Sequence, residues 1–203
     1  MKKSIIAALL LVSAFSGMAQ EDSEKRGFKK ENLFSGGSVS LSFFNNAFLI
    51  GGSPVFGYRL GRFADAGVVA NFTYSSQRDY TVFDDRLRQT QYGGGAFARL
   101  YPLNFLFGQL QWEYNFTHVK YQPANNSGFP SFSDNISGHS LLVGGGYASG
   151  RAPQGNSPFF YMSVLWDVSD NKTSPYKDAY GRSIPIIRAG FNIPLFQGGG
   201  RGF

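Results

Sequence analysis

Few residues in this chain have the types and spacing to do chemistry. There is no cysteine among its 203 residues, which rules out a disulfide framework, a thiolate metal site and a cysteine nucleophile. Two histidines, His118 and His139, are too few for a histidine-built metal centre. His139-Ser140 sets a base beside a hydroxyl, the minimum for a serine hydrolase. Adjacent residues of a strand point to opposite faces, however, and no third group is placed to orient the pair. Glu113 and Asp167 would act as a glycosidase acid and base only at a fixed separation in an open cleft, and nothing in their positions supports that. The glycine triplets 93–95 and 144–146 lack the following helix and the Lys-Ser/Thr that a phosphate-cradling loop needs. Asn71-Phe72-Thr73, Asn115-Phe116-Thr117 and Asn171-Lys172-Thr173 match a sequon pattern by chance in Asn/Thr-rich segments. No catalytic residue, no cofactor and no metal is therefore expected.

The elements that carry these residues are β-strands. Aromatic residues make up 17% of the chain and there are 26 glycines, a composition unlike that of a soluble helical protein. From Gly36 onward, segments of about ten residues alternate apolar with small or polar side chains, the period-two pattern of a transmembrane barrel strand. In 106–117, Leu106, Gly108, Leu110, Trp112, Tyr114 and Phe116 share one face, while Phe107, Gln109, Gln111, Glu113, Asn115 and Thr117 share the other. The same phase runs through 66–75, 159–168 and 186–195, and less cleanly through 36–44, 47–60, 89–100 and 138–148. The expected fold is all-β: a closed antiparallel transmembrane β-barrel of about eight strands in an up-and-down meander.

Around that barrel the chain divides into a signal peptide at 1–19, a flexible charged leader at 20–34, the barrel at 35–196 and a Gly-rich tail at 197–203. The signal reading rests on Lys2 and Lys3, an apolar run from Ile5 to Val12, and small residues up to Ala19, where cleavage is expected. That apolar run is too short to span a bilayer, and no later stretch has the 18 or so apolar residues of a membrane helix. Without a cysteine after the signal the chain is not a lipoprotein. The formal charge of +6 forms no basic stripe, so no nucleic-acid partner is expected.

Links at 61–65, 101–104 and 149–158 are shorter than those at 76–88, 118–137 and 169–183, as periplasmic turns are shorter than extracellular loops. The tight turn at Asn45-Asn46 is an exception on the long-loop side. A spanning sheet must close to satisfy its edges, and an eight-stranded barrel is just filled by its own side chains. The phase then puts Leu110, Trp112, Tyr114, Val164, Trp166 and Phe191 against lipid, and Arg59, Arg99, Glu113, Asp167 and Arg188 in the lumen. Charges in so narrow a space should pair, with Glu113 and Asp167 shared among the arginines as a plug.

Gly36-Gly37-Ser38-Val39-Ser40-Leu41-Ser42-Phe43, Pro54 to Leu60, Ala96 to Tyr101 and Arg188 to Phe196 together resemble the small outer-membrane β-barrel family related to OmpA and OmpX barrels. The resemblance covers roughly 36–196 and implies an outer-membrane location in a Gram-negative bacterium, contact with outer-membrane lipid, and biogenesis through the barrel-assembly machinery. The last of these segments is similar to the C-terminal assembly signal of such barrels, with Gly190, Phe191 and Phe196 in the matching positions; Phe203 is the alternative terminal aromatic, and Pro194 departs from the pattern. No peptidoglycan-binding domain follows, unlike full-length OmpA. Such membership implies location and architecture rather than activity. The first functional expectation is a non-enzymatic envelope protein whose loops, with Tyr80, Phe83, Tyr121, Phe129, Phe132, Tyr176 and Tyr180, suit contact with the outside or a protein partner. A narrow pore for small solutes and a lipid-modifying barrel enzyme are the alternatives.

Overall fold

The computed structural model describes residues 28–44, 46–125, 127–152, 157–171, 174–178 and 180–196. The expected signal peptide, most of the leader and the 197–203 tail lie outside them. A single 3₁₀ turn at Lys30–Asn32 leads into eight strands: β1 (Leu33–Phe44), β2 (Ala47–Arg59), β3 (Ala64–Arg78), β4 (Arg86–Leu103), β5 (Leu106–Gln122), β6 (Phe132–Ser149), β7 (Phe159–Asp167) and β8 (Ile186–Pro194). Each pairs antiparallel with its sequence neighbour, and β8 closes on β1 from Phe34↔Pro194 to Leu41↔Ile187. The fold is thus the closed eight-stranded up-and-down barrel that the alternation implies. No helix among the described residues is long and apolar enough to cross a membrane.

Alternation is strictest in β5, where buried and exposed residues follow one another from Leu106 to Gln122 without a break. Strand lengths are uneven. β3 to β6 run to 15, 18, 17 and 18 residues, whereas β7 and β8 have 9 each. The four long strands exceed their expected segments because backbone pairing continues, through Arg88↔Lys120 and Lys120↔Ser133, after the outer face has turned polar. Apolar periodicity stops at that change of polarity, but hydrogen bonding between strands does not depend on side-chain type. β1 likewise begins at Leu33, inside the segment read as leader, because Phe34 packs with Val55, Val69 and Phe97.

The glycine triplets give the interior its room. Gly95 lies directly across from Glu113 and Gly93 across from Asn115. A Cβ on Gly95 would stand 1.9 Å from the carbonyl oxygen of Trp112, so neighbouring strands lie closer there than any side chain permits. Gly144 and Gly146 flank the other side of β5, opposite Gln109 and Phe107. Gly95→Val is expected to destabilise the barrel by about 1–3 kcal/mol through overpacking against backbone that cannot yield. Urea unfolding in lipid vesicles measures this, and an unchanged midpoint would show that the close approach is not needed.

Candidate functional site

Along the inner face of β5, polar side chains two residues apart bond to one another in a ladder. Arg99 Nε donates to Gln109 Oε1 at 2.8 Å, Gln109 Nε2 donates to Gln111 Oε1 at 2.7 Å, and Gln111 donates to Glu113. Glu113, 0% exposed, is the hub: Oε2 also accepts from Asn115 Nδ2 at 3.0 Å and from the Tyr176 hydroxyl at 2.8 Å, while Oε1 takes Arg188 Nη2 at 3.1 Å. The Arg99 guanidinium lies 4.0 Å from the Tyr161 ring centroid, with Phe97 and Phe107 at 5.0 and 5.3 Å. Among the described residues Arg99 makes no ion pair, although Asp65 lies directly across the β3–β4 ladder from it; aromatic faces and an amide oxygen hold the cation.

The five expected lumenal charges are all buried inside the barrel, but they do not form one shared network. Only Arg188 pairs with Glu113 among the described residues. Asp167 is not shared with the arginines: its Oδ1 accepts the backbone N–H groups of Leu141 and Ser169 at 3.2 and 2.9 Å. It sits at the end of β7, where strand pairing lapses and unpaired amides need an acceptor. Arg59 belongs to a separate cluster, directly across β2–β3 from Asp65. Asp65 takes Arg151 Nη2 at 3.1 Å, and Arg151 also donates to the Arg62 carbonyl at 2.7 Å and lies 3.7 Å from the Tyr101 ring centroid. Arg151 comes from the β6–β7 link, so the turn side of the barrel is closed by a loop cation that alternation cannot detect.

The opposite mouth is closed by the β7–β8 loop. Tyr176, placed by sequence among the outward contact residues, is only 1% exposed and packs with Leu49, Leu142, Leu165 and Ile186. Its hydroxyl reaches Glu113, and Ser174 on the same loop bonds Ser140 Oγ at 3.1 Å. One cavity between this loop and the wall, lined in part by Ser42, Leu49, Gln89 and Pro175, is about 20 Å³, enough for one water. Tyr121 is also buried, on the inner face of β5. Tyr80, Phe83, Phe129, Phe132 and Tyr180 remain exposed at this end.

On the outside, Leu110, Trp112, Tyr114, Trp166 and Phe191 are exposed, Val164 is half-buried, and the two tryptophans are 50% and 44% exposed. Gly190 points inward and leaves a socket for its cross-strand partner Tyr161; Phe191 faces out, and Phe196 lies two residues beyond β8. His139 is exposed whereas Ser140 is buried, so the adjacent pair is split between the two faces.

The β3–β4 loop is held by one carboxylate. Asp85 Oδ2 accepts from the amides of Thr81 and Val82 at 2.8 and 3.0 Å and from the Tyr121 hydroxyl at 2.9 Å, and Oδ1 accepts the Tyr80 amide. Burial by itself would raise its pKa, but these donors outweigh it and hold the carboxyl below the usual range. The clamp therefore contributes fully above about pH 4, the unfolded value, and is lost as pH falls through the lower folded value. Asp85→Asn is expected to expose the loop to protease nicking at neutral pH, while the parent loop resists down to pH 4. Equal nicking of both proteins at pH 7 would contradict the clamp.

No family model matches the chain, and no curated protein matches it. Among solved structures it is similar to Ail, the attachment invasion locus protein of Yersinia pestis, at 10% identity over 79% of this chain and 93% of that one, with a TM-score of 0.40. It is also similar to neisserial surface protein A at 11% identity over 80% and 96%, TM-score 0.38. The N-terminal β-barrel domain of OprF from Pseudomonas aeruginosa shares 16% identity over 80% and 98%, TM-score 0.41. These neighbours are small eight-stranded outer-membrane barrels.

Proposed function

We propose that the chain is an exported envelope protein of the Gram-negative outer membrane, cleaved near Ala19, whose barrel is a solid anchor and whose outer end makes its contacts. One observation carries this reading: the closed barrel buries Arg59, Arg99, Glu113, Asp167 and Arg188 inside and exposes a continuous apolar belt, the reverse of a water-soluble barrel. On β5 the belt runs from Leu106 to Phe116, which at strand rise and barrel tilt is about 25 Å tall. Aromatic pairs border it, Tyr92 with Phe116 at 5.7 Å and Phe105 with Tyr147 at 6.1 Å.

In this orientation the loops at 79–85, 123–131 and 168–185 lie outside the cell, and exposed Tyr80, Phe83, Phe129 and Tyr180 offer a protein partner its contacts. The filled lumen acts as a core rather than a passage, which disfavours the narrow-pore reading, and no reaction is assigned to it. Gly190, Phe191 and Phe196 serve the assembly machinery during insertion. The test is heat-modifiable gel mobility of protein extracted from the outer-membrane fraction, since a folded barrel resists detergent until boiled. A single unshifting band from the soluble fraction would overturn the proposal, and measurable single-channel conductance would revive the pore.

A further inference from the structure

Just above the apolar belt, β5 and β6 bring a histidine together with a serine and an asparagine that lie 15 and 17 residues further along the chain. His118 follows Phe116 on the outer face of β5 and pairs across the ladder with Asn135; Ser133 is the next outward residue of β6. His118 Nδ1 lies 2.9 Å from Asn135 Oδ1, and Ser133 Oγ lies 3.2 Å from His118 Nε2. The amide oxygen of Asn135 only accepts, so the first contact places the imidazole proton on Nδ1. Nε2 is then left with its lone pair towards the serine hydroxyl. This is the tautomer and order of contacts that a serine nucleophile, its base and an orienting group require.

The surroundings define a substrate. A pocket of about 160 Å³, lined by Tyr92, Phe116, His118, Asn135, Ile136 and Ser137 among others, adjoins the imidazole. Its floor is the stacked Tyr92–Phe116 pair at the edge of the belt. Lys120 stands directly across from Ser133 and Arg88 directly across from Lys120, with Arg78 and Arg86 paired further out on the same face. No carboxylate shares this face with them among the described strand residues.

We propose that Ser133, His118 and Asn135 form an interfacial acyl-ester hydrolase site acting on a phosphorylated amphiphile of the outer leaflet. Membrane placement rests on the function proposed above; the arrangement of the three side chains does not. The Ser133 hydroxyl proton passes to His118 Nε2 as Oγ attacks the ester carbonyl carbon. The tetrahedral oxyanion collapses, the imidazolium returns the proton to the departing alkoxide, and an alcohol leaves behind an acyl-serine. Water, activated by the same nitrogen, then releases the fatty acid and restores the serine. Lys120 offers its charge to the oxyanion, and Arg88 to the headgroup phosphate. Asn135 is a positioning residue that holds the imidazole tautomer.

The experiment uses the full mature barrel in detergent micelles, with a fluorophosphonate label and p-nitrophenyl palmitate as probes. Labelling at Ser133 is expected, with hydrolysis lowered about a thousandfold in Ser133→Ala and His118→Ala. Asn135→Leu should lower kcat roughly a hundredfold with little change in KM, and Asn135→Asp should restore it. His139→Gln should leave both readouts unchanged. With dipalmitoyl phosphatidylglycerol in the micelles, Arg88→Ala should raise KM for this anionic ester and not for the neutral one. Absence of label in the parent protein, or label and hydrolysis that persist in Ser133→Ala, would overturn the assignment. Heat-modifiable mobility of every variant separates that outcome from misfolding and from failure of the barrel reading itself.

Discussion

Replacing Glu113 by leucine is expected to lower the stability of the barrel by about 3–5 kcal/mol, because Arg188 is left buried without a counter-charge. The carboxylate also accepts from Asn115, Gln111 and Tyr176, so three further donors lose their acceptor in the same step. Burying an ion pair is itself costly, and the combined variant Glu113→Leu with Arg188→Met is therefore expected to recover most of the loss. Urea unfolding in vesicles, followed by the fluorescence of Trp112 and Trp166, measures all three proteins. A single variant as stable as the parent would remove Glu113 as the hub. Single-channel conductance should rise in the same variant, since Tyr176 tethers the β7–β8 loop through its 2.8 Å bond to Glu113. Asp167→Asn should leave conductance unchanged, because that carboxylate serves backbone amides rather than the plug.

Arg151→Met is expected to cost nearly as much, about 3 kcal/mol, by stranding Asp65 in the interior. Asp65 is 1% exposed, and Arg151 gives it a bond of 3.1 Å while also closing the turn at Arg62. The effect should fall at the lower end of the range because Arg59 and Arg99 lie across the ladder from Asp65 on either side and remain to oppose its charge. No hydrogen bond between described residues is seen to join Asp65 or Arg151 to Glu113 or Arg188, so the losses from Arg151→Met and Glu113→Leu should add to within about 0.5 kcal/mol. A strongly non-additive double variant would mean that the two clusters are energetically coupled and that the division between them is wrong.

How much of this was legible in the sequence follows from what alternation encodes. A strand with one face in lipid and one in a packed lumen must alternate, so the strands and the inward residues could be read from period two alone. Period two points Arg59, Arg99, Glu113, Asp167 and Arg188 inward, and all five are buried. Their partners were not. Arg151 and Tyr176 come from links, where no period applies, and each folds back into an end of the barrel. A surplus of lumenal arginines over carboxylates was the one available hint that further partners exist. Glycines at 93–95 and 144–146 permit the tight curvature that a narrow barrel needs, but the sequence does not show them as the space in which the β5 ladder lies.

The outer face draws the same line more sharply. His118 and Ser133 are separated by a loop whose length does not fix the pairing, and a slip of one residue would turn His118 away from Asn135. Sequence adjacency instead offers His139-Ser140, which the sheet places on opposite faces. By itself, then, the sequence determined the barrel, a strand number of about eight and the inward or outward sense of residues within the alternating segments, because these depend on local periodicity. Which charges meet, what closes each mouth and which side chains line up across β5 and β6 were decided by register and loop return. Those are properties of the closed sheet, set by contacts between residues far apart in the chain.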